Sequence, residues 1–202
     1  MTSGSSVQRR VARALCAVLL LVAPLWPAAA DEAKPLTAIL LVARADLPDP
    51  DFADSVVLVM NHLADGPVGV IVNRPTEIKV AALFPDMKRL ADLPDKVYFG
   101  GPVGFGTVWF LFRAVKPPEN AIVAFDGVYL SGDRDLLRRL LSRTKPMEGL
   151  RIFIGHSGWA PSQLDAEVSR GDWTLRRVES DAIFGHDADH PWPAPTEPGI
   201  ST

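Results

Sequence analysis

The chain has 202 residues, 22% of them charged and 48% hydrophobic, with 21 lysines and arginines against 24 aspartates and glutamates. The formal net charge of −3 argues against a nucleic-acid-binding protein, whose surface usually carries an excess of positive charge. With a single cysteine, Cys16, the chain cannot form an internal disulfide, and its length suits one folded domain.

The first thirty residues have the pattern of a secretory signal peptide. Three arginines precede an apolar run at residues 14–26, which is shorter than the roughly 20 apolar residues that a membrane-spanning helix needs. A small-x-small pattern ends at Ala30, so we expect cleavage there, no membrane anchor afterwards, and a periplasmic or secreted protein. The Arg9-Arg10 pair is compatible with export by either the general or the twin-arginine pathway. If the signal is not used, the protein stays in the cytoplasm.

Cleavage at this site would leave 172 residues with 18 basic and 24 acidic side chains, a net charge of −6. That part contains no cysteine, which excludes disulfides, thiolate metal sites and a cysteine nucleophile. We therefore expect a single domain over residues 31–184 that does not bind nucleic acid directly. A proline-rich, flexible tail is expected over residues 185–202.

Short runs rich in branched and aromatic residues predict strands along the chain. These runs are residues 38–43, 55–60, 68–72, 96–99, 107–113, 121–125 and 151–154. Asp126-Gly127 is a two-residue hairpin signal before a further strand at 128–130, and Asp65-Gly66-Pro67 predicts a turn between two other strands. Much of the strand pairing should therefore be antiparallel.

Three helices are predicted, at residues 79–84, 133–142 and 161–169. In the second, leucines at 136, 137, 140 and 141 share the core face, and arginines at 134, 138 and 139 face water. In the third, Pro161 suits the first turn and Gly171 the position just past the end. Because strands outnumber helices without regular alternation, the predicted fold class is α+β.

Four segments stand out together: Leu41-Val42-Ala43 with Asp49-Pro50-Asp51-Phe52 and Ser55-Val56-Val57; residues 66–75 (GPVGVIVNRP); residues 98–103 (YFGGPV); and residues 155–164 (GHSGWAPSQL). In this order they resemble the YqgE/AlgH family of bacterial proteins. The resemblance extends to Trp173 and residues 181–184, and so covers nearly all of the expected domain. It implies a mixed, largely antiparallel, barrel-like sheet flanked by a few helices.

The resemblance implies little about activity, because the family's members are mostly uncharacterised and some are labelled as transcriptional regulators. We expect this chain to depart from typical members in carrying a signal peptide and in lacking the C-terminal helical extension that many of them have. It also shows no helix-turn-helix pattern. Regulation of transcription therefore remains an alternative function. An exported, acidic protein could carry it out only through a partner.

Residues 155–159 (Gly-His-Ser-Gly-Trp) partly match the nucleophile elbow of serine hydrolases, a tight turn that exposes a serine after a strand. That turn needs a glycine two residues after the serine, and Trp159 occupies the position. The adjacent side chains of His156 and Ser157 also tend to point apart in an extended turn. A hydrolase using these two residues is the second alternative.

The leading hypothesis is a non-enzymatic protein that binds a small ligand or an envelope protein, because its motif residues are mainly glycines and turn formers. Backbone N–H groups at the start of the third helix could hold an anion, and Arg74 could pair with a carboxylate. The candidate binding residues are Asn73, Arg74, Gly100, Gly101, Gly155, His156, Ser157, Gly158, Trp159 and Gln163. None is assigned a catalytic role.

Two further patterns are weaker. The tail contains His186, Asp187, Asp189 and His190, which are possible ligands of zinc, copper or nickel. Ordering a proline-rich segment opposes binding, so we expect a solvated tail and no specific metal site. The glycine-rich residues 100–106 fit neither dinucleotide nor P-loop spacing, so they predict a strand-ending turn and no cofactor.

Overall fold

The computed structural model describes residues 38–60, 66–178 and 180–185. The expected signal peptide and the tail from residue 186 onward lie outside this part. The described strands are β1 (Ala38–Ala43), β2 (Val56–Met60), β3 (Val68–Ile71), β4 (Pro75–Lys79), β5 (Lys96–Phe99), β6 (Val103–Arg113), β7 (Ile122–Phe125), β8 (Val128–Ser131), β9 (Leu150–Gly158) and β10 (Trp173–Arg176). The described helices are α1 (Val80–Leu83), α2 (Arg134–Leu141), α3 (Gln163–Ser169) and α4 (Ser180–Phe184), with a 3-10 turn at Lys88–Leu90.

The strands form one curled, mostly antiparallel sheet in the order β10-β1-β2-β3-β9-β6-β8-β7. Strand β5 pairs in parallel with β9, and β4 pairs antiparallel with β5. The predicted α+β class with a mixed, largely antiparallel sheet is confirmed. The hairpin predicted at Asp126-Gly127 joins β7 and β8, which are antiparallel.

Strand β9 joins the two parts of the sheet. Its first half lies between β5 and β6, and its last residues pair with β3, where Ser157 is opposite Gly69. Along one edge of β9, the first half therefore pairs with β5 and the end pairs with β3. The backbone of Gly100 connects the two neighbours, because its N–H donates to Ile154 O and its carbonyl accepts from Ile71 N.

Several element bounds differ from the prediction. The polar strand β4 and the half-exposed β10 were not predicted, because neither has a continuous apolar run. Strands β6 and β9 are longer than expected, since pairing extends them across glycines that no local pattern marks as strand. Pro161 lies in a turn before α3 and not in its first turn, and Ser162 between them has φ 65°.

Alternate residues of the central strands pack on opposite faces of the sheet. Leu111 and Phe153 belong to one apolar cluster, whereas Phe110 and Ile152 belong to the other, which α2 covers. Leu136, Leu137 and Leu141 of α2 are buried in that second cluster, and Leu140 is partly buried against it. A third cluster forms where α3 packs against β1, β2 and β10.

No helix of the described residues is both long and apolar enough to span a bilayer.

Candidate functional site

A pocket of about 560 Å³ opens beside the third apolar cluster. It lies between the loop that follows β1, the end of β9, helix α3 and the start of β10. Its lining residues are Arg44, Leu47, Pro48, Asp49, Phe52, Gly158, Trp159, Gln163, Glu167, Arg170, Asp172 and Trp173. Three residues of the predicted candidate set, Gly158, Trp159 and Gln163, therefore meet at one cavity of a size that suits a small ligand.

Three aromatic rings form the apolar wall of the pocket. Phe52 stacks on Trp159 with ring centroids 5.8 Å apart, and it meets the edge of Trp173 at 5.6 Å. The two tryptophan rings are nearly perpendicular, 6.2 Å apart, and both residues are buried. Such edge-to-face and offset contacts are the favoured arrangements of aromatic pairs, so the three rings stabilise one another's positions.

Glu167 fixes the orientation of both tryptophans. Its Oε2 accepts hydrogen bonds from the indole Nε1 of Trp159 and of Trp173, each at 2.9 Å. Its Oε1 accepts from Nε2 of Gln163 at 2.9 Å. Oε1 of Gln163 in turn accepts from the backbone N–H of Ala160, at 3.0 Å, just before α3. The two indole N–H groups and the amide of Gln163 are therefore already hydrogen-bonded within the protein.

The charged rim of the pocket is paired internally. Arg170 donates to Oδ2 of Asp172 from Nε and Nη2, at 3.1 and 2.7 Å. Nε of Arg44 lies 3.0 Å from Oδ1 of Asp46, and Nη1 lies 3.8 Å from Oδ1 of Asp172. Both guanidinium groups thus have a carboxylate beside them.

Asn73 holds the turn that carries Phe52. Its Oδ1 accepts from the backbone N–H of Val56, and its Nδ2 donates to the carbonyl of Asp54, both at 2.8 Å. Asp54 has φ 55°, a conformation that needs support from neighbours in a residue with a side chain. Asn73 therefore supports the turn that carries Phe52 but is not itself a lining residue of the pocket.

Arg74 acts on the same turn. Its Nη1 and Nη2 donate to the carbonyls of Asp51 and Ala53, each at 2.8 Å, on either side of Phe52. Its guanidinium also lies 5.5 Å from the ring centre of Phe99. The carboxylate partner that the sequence suggested for Arg74 is thus replaced by backbone carbonyls, which makes Arg74 a positioning residue for the pocket wall.

Of the candidate glycines, only Gly158 lines the pocket, whereas Gly100, Gly101 and Gly155 lie where β5 meets β9. A Cβ on Gly101 would lie 2.4 Å from Oγ of Ser157, and one on Gly155 would lie 2.4 Å from the carbonyl oxygen of Gly101. Gly155 also has φ 72°. The backbones approach so closely here that only glycine fits, which gives the glycine motif a structural role.

Ser157 and His156 do not form a nucleophile and base pair. Ser157 is fully buried, and its hydroxyl donates to the carbonyl of Gly100 at 3.1 Å. The ring of His156 lies elsewhere, 6.1 Å from the ring of Trp109. Because the serine proton is directed at a backbone oxygen, the geometry offers a hydrolase mechanism no support.

No group of three histidine, cysteine, aspartate or glutamate side chains that could hold a metal ion occurs within residues 38–60, 66–178 and 180–185. The tail residues His186, Asp187, Asp189 and His190 lie outside that part of the chain.

The structure adds pocket residues that the sequence did not single out as candidates. Phe52 and Trp173 belong to segments that carried the family resemblance, but nothing in the sequence showed that they meet. Glu167 had a local signal, because it lies four residues after Gln163 and so on the same face of α3. Arg44, Arg170 and Asp172 had none.

The sequence of this chain is similar to those of known proteins. A family model described as AlgH-like, DUF179, matches residues 40–197. A UPF0301 protein of Anaeromyxobacter dehalogenans strain 2CP-C is 36% identical over 162 residues, which cover 75% of this chain and 82% of that relative. A UPF0301 protein of Chlorobium limicola is 34% identical over 155 residues, which cover 76% and 81% of the two chains.

Two solved structures share the fold. The solution structure of the AlgH protein from Pseudomonas aeruginosa matches with a TM-score of 0.62 and 25% sequence identity, covering 80% of this chain and 86% of that chain. A crystal structure of a Corynebacterium diphtheriae protein matches with a TM-score of 0.59 and 25% identity, covering 75% and 80%.

Proposed function

We propose that this chain, which belongs to the AlgH-like family DUF179, is a non-enzymatic binding protein whose ligand site is the pocket beside Phe52, Trp159 and Trp173. The family that the four sequence segments indicated is thereby confirmed. The binding function is our proposal, and it is supported chiefly by one observation: a preformed cavity of about 560 Å³ with three aromatic side chains in its wall.

The arrangement of the surrounding residues supports binding in preference to catalysis. Catalytic groups need a free proton, lone pair or charge directed at the substrate. Here the carboxylate of Glu167 is used by two indoles and an amide, and Asp172 is used by Arg170. The pocket wall also includes three aromatic side chains, which can contribute contact area and orientation to a ligand.

Much of the family motif serves to build this pocket. Asn73 and Arg74 hold the turn of Phe52, and Trp159 and Gln163 belong to the pocket itself. A binding site placed on rigid strands and packed turns costs little ordering entropy when it is filled. We therefore assign the leading role to the pocket and a supporting role to the glycine junction at Gly101 and Gly155.

The proposal includes export of the protein to the cell envelope, on the strength of the first thirty residues alone. N-terminal sequencing of the protein isolated from its native cells tests this part separately. A first residue of Asp31 in an envelope fraction supports export, whereas an intact Met1 or Thr2 on a cytosolic molecule contradicts it.

The binding function is tested by screening a small-molecule library against the ¹⁵N-labelled protein and assigning the shifted amides. We expect ligands that shift the indole Nε1–H signals of Trp159 and Trp173, and a Phe52→Ala variant that loses their binding. Phe105→Ala is the matched control, because Phe105 is 63% exposed and does not line the pocket. Ligands that shift only residues away from the pocket, or that bind Phe52→Ala unchanged, would remove this proposal.

A further inference from the structure

We infer that the ligand of this pocket carries a small organic cation, an alkylammonium group, which lies against the aromatic wall near Glu167. The inference rests on the proposed binding function and specifies the chemistry of the ligand. It follows from the charges of the lining residues, from how their donors are used, and from the aromatic wall.

The charge of the pocket lining is negative and unevenly compensated. Three acids, Asp49, Glu167 and Asp172, line the pocket together with two arginines, Arg44 and Arg170. Both arginines lie beside carboxylates of Asp46 or Asp172. Among the described residues, no lysine or arginine pairs with Glu167, and the donors to its carboxylate are two indoles and an amide. A cation in the pocket would be attracted by a charge that neutral donors leave uncompensated.

The neutral donors of the pocket are used in a way that disfavours an anion. The indole N–H groups of Trp159 and Trp173 donate to Glu167, and Nε2 of Gln163 does so as well. The guanidinium groups that line the pocket, those of Arg44 and Arg170, lie beside the carboxylates of Asp46 and Asp172. An anion would therefore compete with these carboxylates for the arginines and would be repelled by Glu167.

The aromatic wall suits a cation. The faces of aromatic rings carry negative electrostatic potential. The indole ring of tryptophan attracts an ammonium group more strongly than the rings of tyrosine and phenylalanine do. Both tryptophans line the pocket while their N–H groups donate to Glu167, and Phe52 adds a third ring within 5.8 Å of each. Three rings with a carboxylate behind them form a surface that prefers an alkylammonium ion to a neutral group of the same shape.

The test compares three molecules of nearly identical shape and different charge. These are choline, its neutral isostere 3,3-dimethylbutan-1-ol, and 3,3-dimethylbutanoate, each titrated into ¹⁵N-labelled protein at constant ionic strength. We expect choline to shift the indole signals of Trp159 and Trp173, with an affinity at least tenfold above that of the alcohol. The carboxylate should bind more weakly than the alcohol.

Two variants examine the assigned groups. Glu167→Gln keeps an acceptor oxygen and removes the charge, so choline affinity should fall at least tenfold while the affinity for the alcohol stays within about twofold. Asp165→Asn is the matched control, since Asp165 is an exposed acid of the same helix that does not line the pocket. Phe52→Leu keeps an apolar side chain without a ring, so it should lower the affinity for choline more than the affinity for the alcohol. This variant provides the test if Glu167→Gln does not fold.

Each outcome decides between the two proposals. Equal affinities for choline and the alcohol, both lost in Phe52→Ala, overturn the cation inference and keep the binding function. Tightest binding of the carboxylate overturns it in favour of the arginines. If none of the three shifts the pocket, the cation inference is wrong, and the library screen alone decides the binding function.

Discussion

Trp159 and Trp173 share one hydrogen-bond acceptor, Oε2 of Glu167, which lies 2.9 Å from each indole nitrogen. The two tryptophans are fourteen residues apart in sequence: Trp159 directly follows β9, and Trp173 begins β10. A single carboxylate on α3 therefore links three elements of the pocket. Both the stability of the pocket and the positions of its two tryptophans should therefore depend on Glu167.

Removing this carboxylate should destabilise the protein. In Glu167→Ala, two indole N–H groups lose their acceptor, and leaving a buried donor unpaired costs about 1–3 kcal/mol. We expect the free energy of unfolding in urea to fall by about 2–4 kcal/mol, with both indole signals displaced. Asp165→Ala on the exposed face of α3 should change it by less than about 0.5 kcal/mol. Equal effects of the two variants would show that the shared acceptor contributes nothing.

Substitution of Asn73 should loosen the turn that carries Phe52. Asn73→Ala removes both the acceptor of the Val56 N–H and the donor to the Asp54 carbonyl, so we expect a loss of about 1–3 kcal/mol. Amide hydrogen exchange should accelerate at Val56 and across residues 51–54. Asn73→Asp keeps the acceptor for Val56 and should retain protection there, so unchanged exchange in the alanine variant would contradict this role.

Alanine should not be tolerated at Gly155. Its Cβ would lie 2.4 Å from the carbonyl oxygen of Gly101, on a residue whose φ is 72°. Both the contact and the conformation are unfavourable, so we expect a loss above about 3 kcal/mol or a protein that fails to fold. Gly106→Ala is the control, because a Cβ there meets nothing within 4 Å. The comparison is made by thermal unfolding, and similar melting temperatures for the two variants would contradict it.

The stability of helix α2 should depend on pH through Asp133. The N–H of Leu136 and, secondarily, the side chain of Asn120 donate to this carboxylate and hold its pKa below the ordinary value. A lowered pKa in the folded state means that the stabilisation is present above the unfolded-state pKa, about 3.9, and is lost as pH falls through the folded value. Asp133→Asn keeps an N-terminal cap and loses the charge.

We therefore expect the melting temperature of Asp133→Asn to fall less steeply between about pH 5 and pH 2 than that of the wild type. The pKa of Asp86, lowered by its hydrogen bond from Arg138, adds a similar dependence, so the comparison is best repeated with Asp86→Asn present in both proteins. Parallel curves would show that Asp133 is not the titrating group.

Replacement of Ser157 should affect stability and not catalysis. Ser157→Ala removes the hydrogen bond to the Gly100 carbonyl and leaves Gly100 bonded to Ile71, so we expect a loss of about 0.5–1.5 kcal/mol. Any ester or peptide hydrolysis shown by the purified wild type should persist in the variant. Abolished hydrolysis in a variant that remains folded would restore the serine hydrolase alternative.

Local patterns predicted most of the strands and their pairing sense. Runs such as β1 at Ala38–Ala43 and β5 at Lys96–Phe99 have the predicted bounds, because buried strands need continuous apolar side chains. The leucines of α2 likewise predicted a core face. Strands β4 and β10 escaped prediction, because their pairing depends on neighbours and not on their own hydrophobicity.

For the site, the sequence by itself determined which residue types were present and, through motif order, which family the chain belongs to. It placed Trp159 and Gln163 in a candidate surface, because they lie in one short segment. Only the tertiary structure decided that Phe52 and Trp173 complete the pocket and that Asn73 and Arg74 support it from behind. The reason is physical: hydrogen bonds and ring contacts between residues far apart in sequence exist only once the sheet has curled and brought their elements together.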